Sequence, residues 1–324
     1  MTASRRALLA AFPFIGATAA LAQERFPNRP VRIVVPYAPG GTTDIVARMI
    51  AERISGPLGQ SVLVENRPGG GAVIGSEMVA RAAPDGHTLL MATNGSHGIN
   101  PAIFRRLSYD PVRDFAPISM LAAVPLVLVV PSAVPVNNIA ELVAYLKSRS
   151  DTQSYGSAGI GSSGHLAGEM YKRLAGVTPE HIPYRGDAAL MPDLIAGRLV
   201  FAFANLPGAI GFVRVGNLRA LAVTGDTRST ALPDVSTMRE AGLPDFQVDP
   251  WYGLLAPAGT PLAVVTRLYE LSVAALREPA AVDQLRSLGA QVIGKSPAEF
   301  AAALASDIAR YTATARAGNI SVDP

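Results

Sequence analysis

The sequence predicts an α/β protein of two lobes, each a doubly wound sheet flanked by helices. Three observations predict this. From Val31 onward, short β-rich apolar runs alternate with amphipathic stretches, the order that builds parallel strands covered by helices. The alternation occurs twice, on either side of an apolar run near residues 118–130. Hydrophobic residues occupy 49% of the 324 positions and charged ones only 16%, enough apolar material for two cores.

In the first half, Val31–Val35 is a strand stopped by Pro36, followed by the loop Tyr37-Ala38-Pro39-Gly40-Gly41. A helix is expected from about Thr43. Ile45, Val46, Met49, Ile50 and Ile54 form its apolar stripe, and Gly56-Pro57 is expected to end it. Ser61–Glu65 is the next strand, and Asn66–Gly71 a glycine-rich loop. Ala72–Ala82 is a second helix, closed by Pro84. Thr88–Ala92 is a third strand, followed by the polar loop Thr93-Asn94-Gly95-Ser96-His97. The second half repeats the order. Asn138 with Glu141 three residues on marks a capped helix running to about Arg149. A weak strand (Gln153–Ser157), a helix (Gly164–Leu174), a strand (His181–Tyr184), a helix (Ala188–Ala196) and strands at Leu199–Ala204 and Leu218–Thr224 follow. Ser296-Pro297-Ala298-Glu299 is a capping box that opens a final helix reaching about Ala317. With the run near 118–130 as first crossing and Gly242–Pro250 as the return, one lobe comprises 23–124 plus 249–324 and the other 125–248.

Composition excludes several functions. There is no cysteine, hence no disulfide framework, thiolate-bound metal, thiol nucleophile or lipid-anchored cysteine. Residues 1–22 read as a secretory signal: Arg5-Arg6, an apolar stretch Ala7–Leu21, and small residues at Ala20 and Ala22. Its removal lowers the net charge of +3 by two, leaving no basic field for nucleic acid. Ile118–Val136 is uncharged and long enough to span a bilayer. Pro125, Pro131 and Pro135 break its helical continuity, so Leu126–Val130 is read as a buried strand.

Ligands of open parallel sheets sit beyond the carboxyl ends of strands, where helix N-termini present free N–H groups. Four segments fit that location: Tyr37–Asp44, Thr93–His97, Ser157–His165 and Tyr184–Asp187. Each joins glycines to hydroxyl, amide or ring groups, and several converging N-termini suit an anion. Gly159-Ile160-Gly161-Ser162-Ser163-Gly164 matches G-x-G-x-x-G but follows a polar strand, and reads as an anion nest rather than a dinucleotide site. No P-loop lysine or nucleophile elbow is present. His87, His97, His165 and His181 form no metal-binding spacing, so no metal or cofactor is expected.

Several segments, in order, resemble one family. They are Ile33-Val34-Val35-Pro36-Tyr37-Ala38-Pro39-Gly40-Gly41 with Asp44, Val64-Glu65-Asn66-Arg67-Pro68-Gly69, Ala83-Pro84-Asp85-Gly86-His87-Thr88-Leu89 and Tyr109-Asp110-Pro111. His181-Ile182-Pro183-Tyr184-Arg185-Gly186, Leu218–Thr224 and Trp251-Tyr252-Gly253-Leu254-Leu255-Ala256-Pro257 complete the set. On these residues the chain resembles the periplasmic solute-binding proteins of tripartite tricarboxylate transporters, the Bug family. The resemblance implies a type II-like Venus-flytrap fold that closes on a small carboxylate or amino acid and delivers it to integral-membrane permease subunits. It further implies a periplasmic monomer without catalytic residues. Carried onto this sequence, Tyr37, Pro39, Gly40, Gly41, Thr43 and Asp44 would clamp from the first lobe, aided by Thr93, Asn94 and Ser96. Ser157, Gly161, Ser162, Ser163, His165, Tyr184, Arg185 and Asn205 would close from the second. The family often has an acid just before the residue at Asn205. Here Ala204 stands there, which argues against an amino-acid ligand. A secreted α/β hydrolase acting in the same cleft, and a ligand sensor without transport, are the alternatives.

Overall fold

The computed structural model describes residues 26–149, 153–225, 227–246, 248, 250–318 and 320–322; the signal expected at 1–22 lies outside them. Two sheets organise the chain. The first contains β1 (Val31–Val35), β2 (Val62–Asn66), β3 (Thr88–Thr93), β4 (Phe115–Ala123), β10 (Trp251–Pro257) and β11 (Gln291–Lys295), in the order β11-β4-β10-β3-β1-β2. The second contains β5 (Leu126–Pro131), β6 (Ser154–Ser157), β7 (Glu180–Pro183), β8 (Phe201–Asn205) and β9 (Leu218–Val223), in the order β7-β6-β8-β5-β9.

The expected parallel cores are present as β2-β1-β3 and β7-β6-β8. Neither sheet is wholly parallel. β5 runs antiparallel to β8 and β9, and β10 antiparallel to β3 and β4. β5 and β10 are the first strands after each passage between sheets, so they start at the junction that the site-forming strands end upon. The two passages lie side by side, with Val124 N donating to Pro250 O at 3.0 Å. Residues 118–136 form the end of β4, all of β5 and the turn after it; Leu126–Val130 are fully buried. Among the described residues no helix is long and apolar enough to cross a membrane.

Between strands the helices fall close to where the pattern put them: α1 (Thr42–Leu58), α2 (Val73–Ala80), α4 (Ile139–Ser148), α5 (Ser163–Ala175), α6 (Asp187–Ile195) and α10 (Pro297–Ala317). α10 carries the full capping box, and Asn138 accepts from Glu141 N at the start of α4. Three local expectations are corrected. α1 passes through Gly56-Pro57, because a proline in the last turn forfeits one hydrogen bond only, and Gly59 (φ 77) closes it by donating to Ser55 O and Gly56 O. α2 starts after Ala72, whose positive φ of 75 ends a 3-10 turn at Gly70–Ala72. Thr93–His97 is not an open loop: Gly95–Ile99 winds as a single π-helical turn into α3 (Asn100–Ile103). Thr93 and Ser96 hold that turn through reciprocal main-chain and hydroxyl bonds. α7 (Leu206–Arg214), α8 (Leu262–Arg277) and α9 (Pro279–Ser287) complete the layers.

Candidate functional site

The carboxyl ends of β1, β3, β6, β7 and β8 meet at a narrow cavity of about 30 Å³ between the two sheets. From the first sheet's side it is lined by Tyr37, Ala38, Gly41, Thr42, Thr43, Thr93, Asn94 and Tyr252. Ala158, Ser162, Ser163, Gly186, Asp187 and Asn205 line it from the second. α1 begins after Gly41 and α6 after Gly186, and neither glycine supplies a side-chain cap. Helix N-termini without caps keep unpaired N–H groups and a partial positive charge. These two open on the same cavity from opposite sides. α5 differs, since Ser162 caps it by accepting from His165 N at 3.2 Å.

Direct bonds cross the cleft. Ser163 Oγ donates to Asn94 Oδ1 at 2.7 Å, and Ala38 N donates to Arg185 O at 3.0 Å. The Tyr252 hydroxyl donates to Asn205 Oδ1 at 2.7 Å, and Asn205 Nδ2 donates to Asp187 Oδ2 at 2.6 Å. Burial pushes the Tyr37 phenol up to about 12, so it stays a neutral partner for Thr93 Oγ1 at 3.2 Å. Burial also pushes the Asp187 carboxyl up to about 6, against hydrogen bonding from the side chain and main chain of Asn205.

Of the residues expected to bind ligand, Tyr37, Gly41, Thr43, Thr93, Asn94, Ser162, Ser163 and Asn205 reach this cavity. Others stand one layer behind it. Asp44 is spent on its own loop: Oδ2 accepts from Gly40 N and Arg48 Nε, and Oδ1 from Asn66 Nδ2. Burial raises its carboxyl, but the bonds from Arg48, Gly40 and Asn66 outweigh this and hold it below the usual range. Ser96 closes the π turn and meets His97 Nδ1 at 2.9 Å. Ser157 Oγ accepts from Gly159 N at 3.1 Å and lies 2.6 Å from His181 Nε2. His165 stacks on His181 with ring centres 4.2 Å apart, and its Nδ1 accepts from Gly161 N at 3.3 Å. Gly161 (φ 76) packs against Asn100 so closely that a Cβ would overlap the amide oxygen. Pro39 and Gly40 are exposed and line neither this cavity nor the larger one beside it. Tyr184 and Arg185 line that larger cavity, about 660 Å³, with the glycine turn Gly69–Gly71, Phe104 and Arg106. The two cavities share Tyr37 and Ala158.

Ala38, Thr42, Ala158, Gly186, Asp187 and Tyr252 also line the cavity, beyond the residues the sequence singles out. All but Tyr252 fall within the four strand-end segments, so their location was available. Tyr252 arrives from the returning strand β10, whose neighbours in space are β3 and β4.

The family model for the tripartite tricarboxylate transporter family receptor (TctC) matches residues 46–319. The chain belongs to this family. It is 34% identical over 302 residues to Protein BugT of Bordetella pertussis (strain Tohama I), covering 93% of each chain. Among solved structures, Rpa4515 of R. palustris with adipate is 36% identical with a TM-score of 0.89, over 92% of this chain and 100% of that one. MatC of Rhodopseudomonas palustris with bound malate is 35% identical with a TM-score of 0.86, over 89% and 99%. The protein therefore has the two-lobed periplasmic-binding-protein architecture, and it is a solute-binding receptor rather than an enzyme.

Proposed function

We propose that this TctC receptor is exported to the periplasm by residues 1–22 and captures a small organic carboxylate between its lobes. It then delivers the ligand, as a monomer, to the integral-membrane permease subunits of a tripartite transporter. The lobes are 23–124 plus 249–324 and 125–248, hinged at Val124–Pro125 and the segment before Trp251. The observation that carries the ligand class is the pair of uncapped N-termini, α1 behind Gly41 and α6 behind Gly186, opening on one cavity. They offer a carboxylate main-chain donors from both lobes, so ligand and closure stabilise each other. Thr43, Thr93, Asn94, Ser162, Ser163 and Asn205 add polar groups around it. The larger cavity beyond Tyr37 and Ala158 accommodates the rest of the molecule, with Tyr184 and Arg185 at its wall. Adipate in one solved relative and malate in another support this class.

The purified mature protein is tested against mono-, di- and tricarboxylates, adipate and malate included, by thermal shift and then calorimetry. A ligand present at a hundred times its Kd stabilises the folded state by about 2.7 kcal/mol, a readily measured rise in Tm. Mass spectrometry should return the compound unaltered. A folded protein that no carboxylate stabilises refutes the reading.

A further inference from the structure

The inner cavity holds one side chain of formal charge at neutral pH, and it is an acid. Among the described residues lining that cavity there is no lysine, arginine or histidine; Asp187 is the sole carboxylate, and Tyr37 and Tyr252 are the other titratable groups facing it. Asp187 is only 4% exposed. Its Oδ2 accepts from Asn205, while Oδ1 is buried without a hydrogen-bond partner among the described residues. A buried carboxylate oxygen facing a cavity takes its donor from what enters that cavity, water or ligand. A ligand carboxylate at the N-termini of α1 and α6 brings a second negative charge into the same confined space, and two like charges there repel unless a proton or a cation lies between them.

We propose that Asp187 is the specificity-determining residue of this receptor and selects ligands with an ammonium beside the carboxylate, Oδ1 accepting a hydrogen bond from that nitrogen. The inference rests on the carboxylate-receptor reading and narrows it to α-amino-acid-like zwitterions. The head group then meets two helix N-termini with its carboxylate and Asp187 with its amine, while its side chain extends past Tyr37 and Ala158 into the larger cavity.

The test compares matched pairs by calorimetry: aspartate with succinate, 2-aminoadipate with adipate, leucine with 4-methylpentanoate. Titrations near pH 7.5 are repeated in buffers of different ionisation enthalpy to count protons. The amino member of at least one pair should bind more tightly, without net proton exchange. Asp187→Asn should weaken it by roughly a hundredfold or more, and leave the plain acid unchanged or tighter. Because Asp187 is a carboxyl held high by burial, the Asn variant should unfold at no lower temperature than the parent near neutral pH, which separates lost binding from lost fold. Plain acids binding as tightly as their amino counterparts overturn the proposal. So does their binding with uptake of about one proton, since Asp187 would then be a protonated donor. A folded protein that binds only acids without an amine, from these pairs or from the wider carboxylate panel, overturns the proposal and leaves the receptor reading standing, whereas one that binds no carboxylate at all refutes that reading.

Discussion

Gly161→Ala tests the lobe closure proposed above separately from overall stability. Gly161 sits at φ 76, where an alanine pays about 1–2 kcal/mol in any state of the protein. Its missing Cβ also faces Asn100, which belongs to the opposite side of the cleft. Asn100 is fully buried, and its Nδ2 donates to Gly71 O at 2.7 Å, so its amide cannot swing aside without losing that bond. Overpacking of this kind costs about 1–3 kcal/mol, and under the lobe closure proposed above it falls on the closed form alone. At 1.4 kcal/mol per tenfold, ligand affinity should fall by roughly five- to a hundredfold. The control is Gly59→Ala at φ 77, where a Cβ meets nothing within 4 Å among the described residues. Calorimetry should show the two variants with similar losses of Tm without ligand, and weakened Kd for Gly161→Ala alone. An unchanged Kd in that variant refutes the assignment of the Gly161–Asn100 contact to the ligand-bound state.

Burial holds His97 and His181 down to about 3 and His165 down to about 4. Unfolded histidines titrate at about 6.5, so the unfolded chain binds more protons below that pH, and each residue withdraws up to about 1.4 kcal/mol per pH unit as pH falls toward 4. Urea unfolding at pH 7, 6 and 5 should show the decline, and His97→Phe should shallow it; a flat profile contradicts the burial argument. Asp44 has the opposite character: a depressed carboxyl stabilises above its ordinary value of 3.8, and that contribution is lost as pH falls further. Asp44→Ala should therefore cost roughly 2–3 kcal/mol at pH 7 and leave the protein less sensitive to acid below pH 4, measured by denaturant titration. Tyr252→Phe removes the donor to Asn205 across the cleft. It should weaken ligand binding by roughly fivefold with little change in ligand-free Tm, if the proposed open form lets water solvate Asn205.

The elements read most directly from sequence are those whose signals are local. The capping box at Ser296, the Asn138 cap, and the β-rich runs Val31–Val35 and Leu126–Val130 need no knowledge of the rest of the chain. The antiparallel insertion of β10 between β3 and β4 has no such signal, because strand order is decided by which edges remain free after the chain has crossed and returned. For the same reason Tyr252 was invisible as a cleft residue. Thr93–His97 looked like a loop because Thr, Asn, Gly and Ser are turn formers, yet the paired bonds of Thr93 and Ser96 make those same residues wind a helical turn. In the site, glycine and hydroxyl positions located the strand ends. They did not say which side chains turn inward, and Asp44, Ser157 and His165 all proved to brace the loops rather than face the cavity.

Asp187 shows how much depends on a single residue of register. A helix beginning at Ala188 would have placed Asp187 at the N-cap, where its carboxylate would bond the helix's own first-turn N–H groups. Instead Gly186 takes the cap at φ 128, a conformation that side-chain-bearing residues rarely adopt, and the helix begins at Asp187. At the first helical position the carboxylate is free of capping duty, and Asn205, whose side chain does not cap α7, anchors one oxygen and leaves the other without a partner among the described residues. The absence of an acid at Ala204 therefore does not leave the neighbourhood of Asn205 without one. The charge comes from α6 instead, placed by a glycine whose role is conformational.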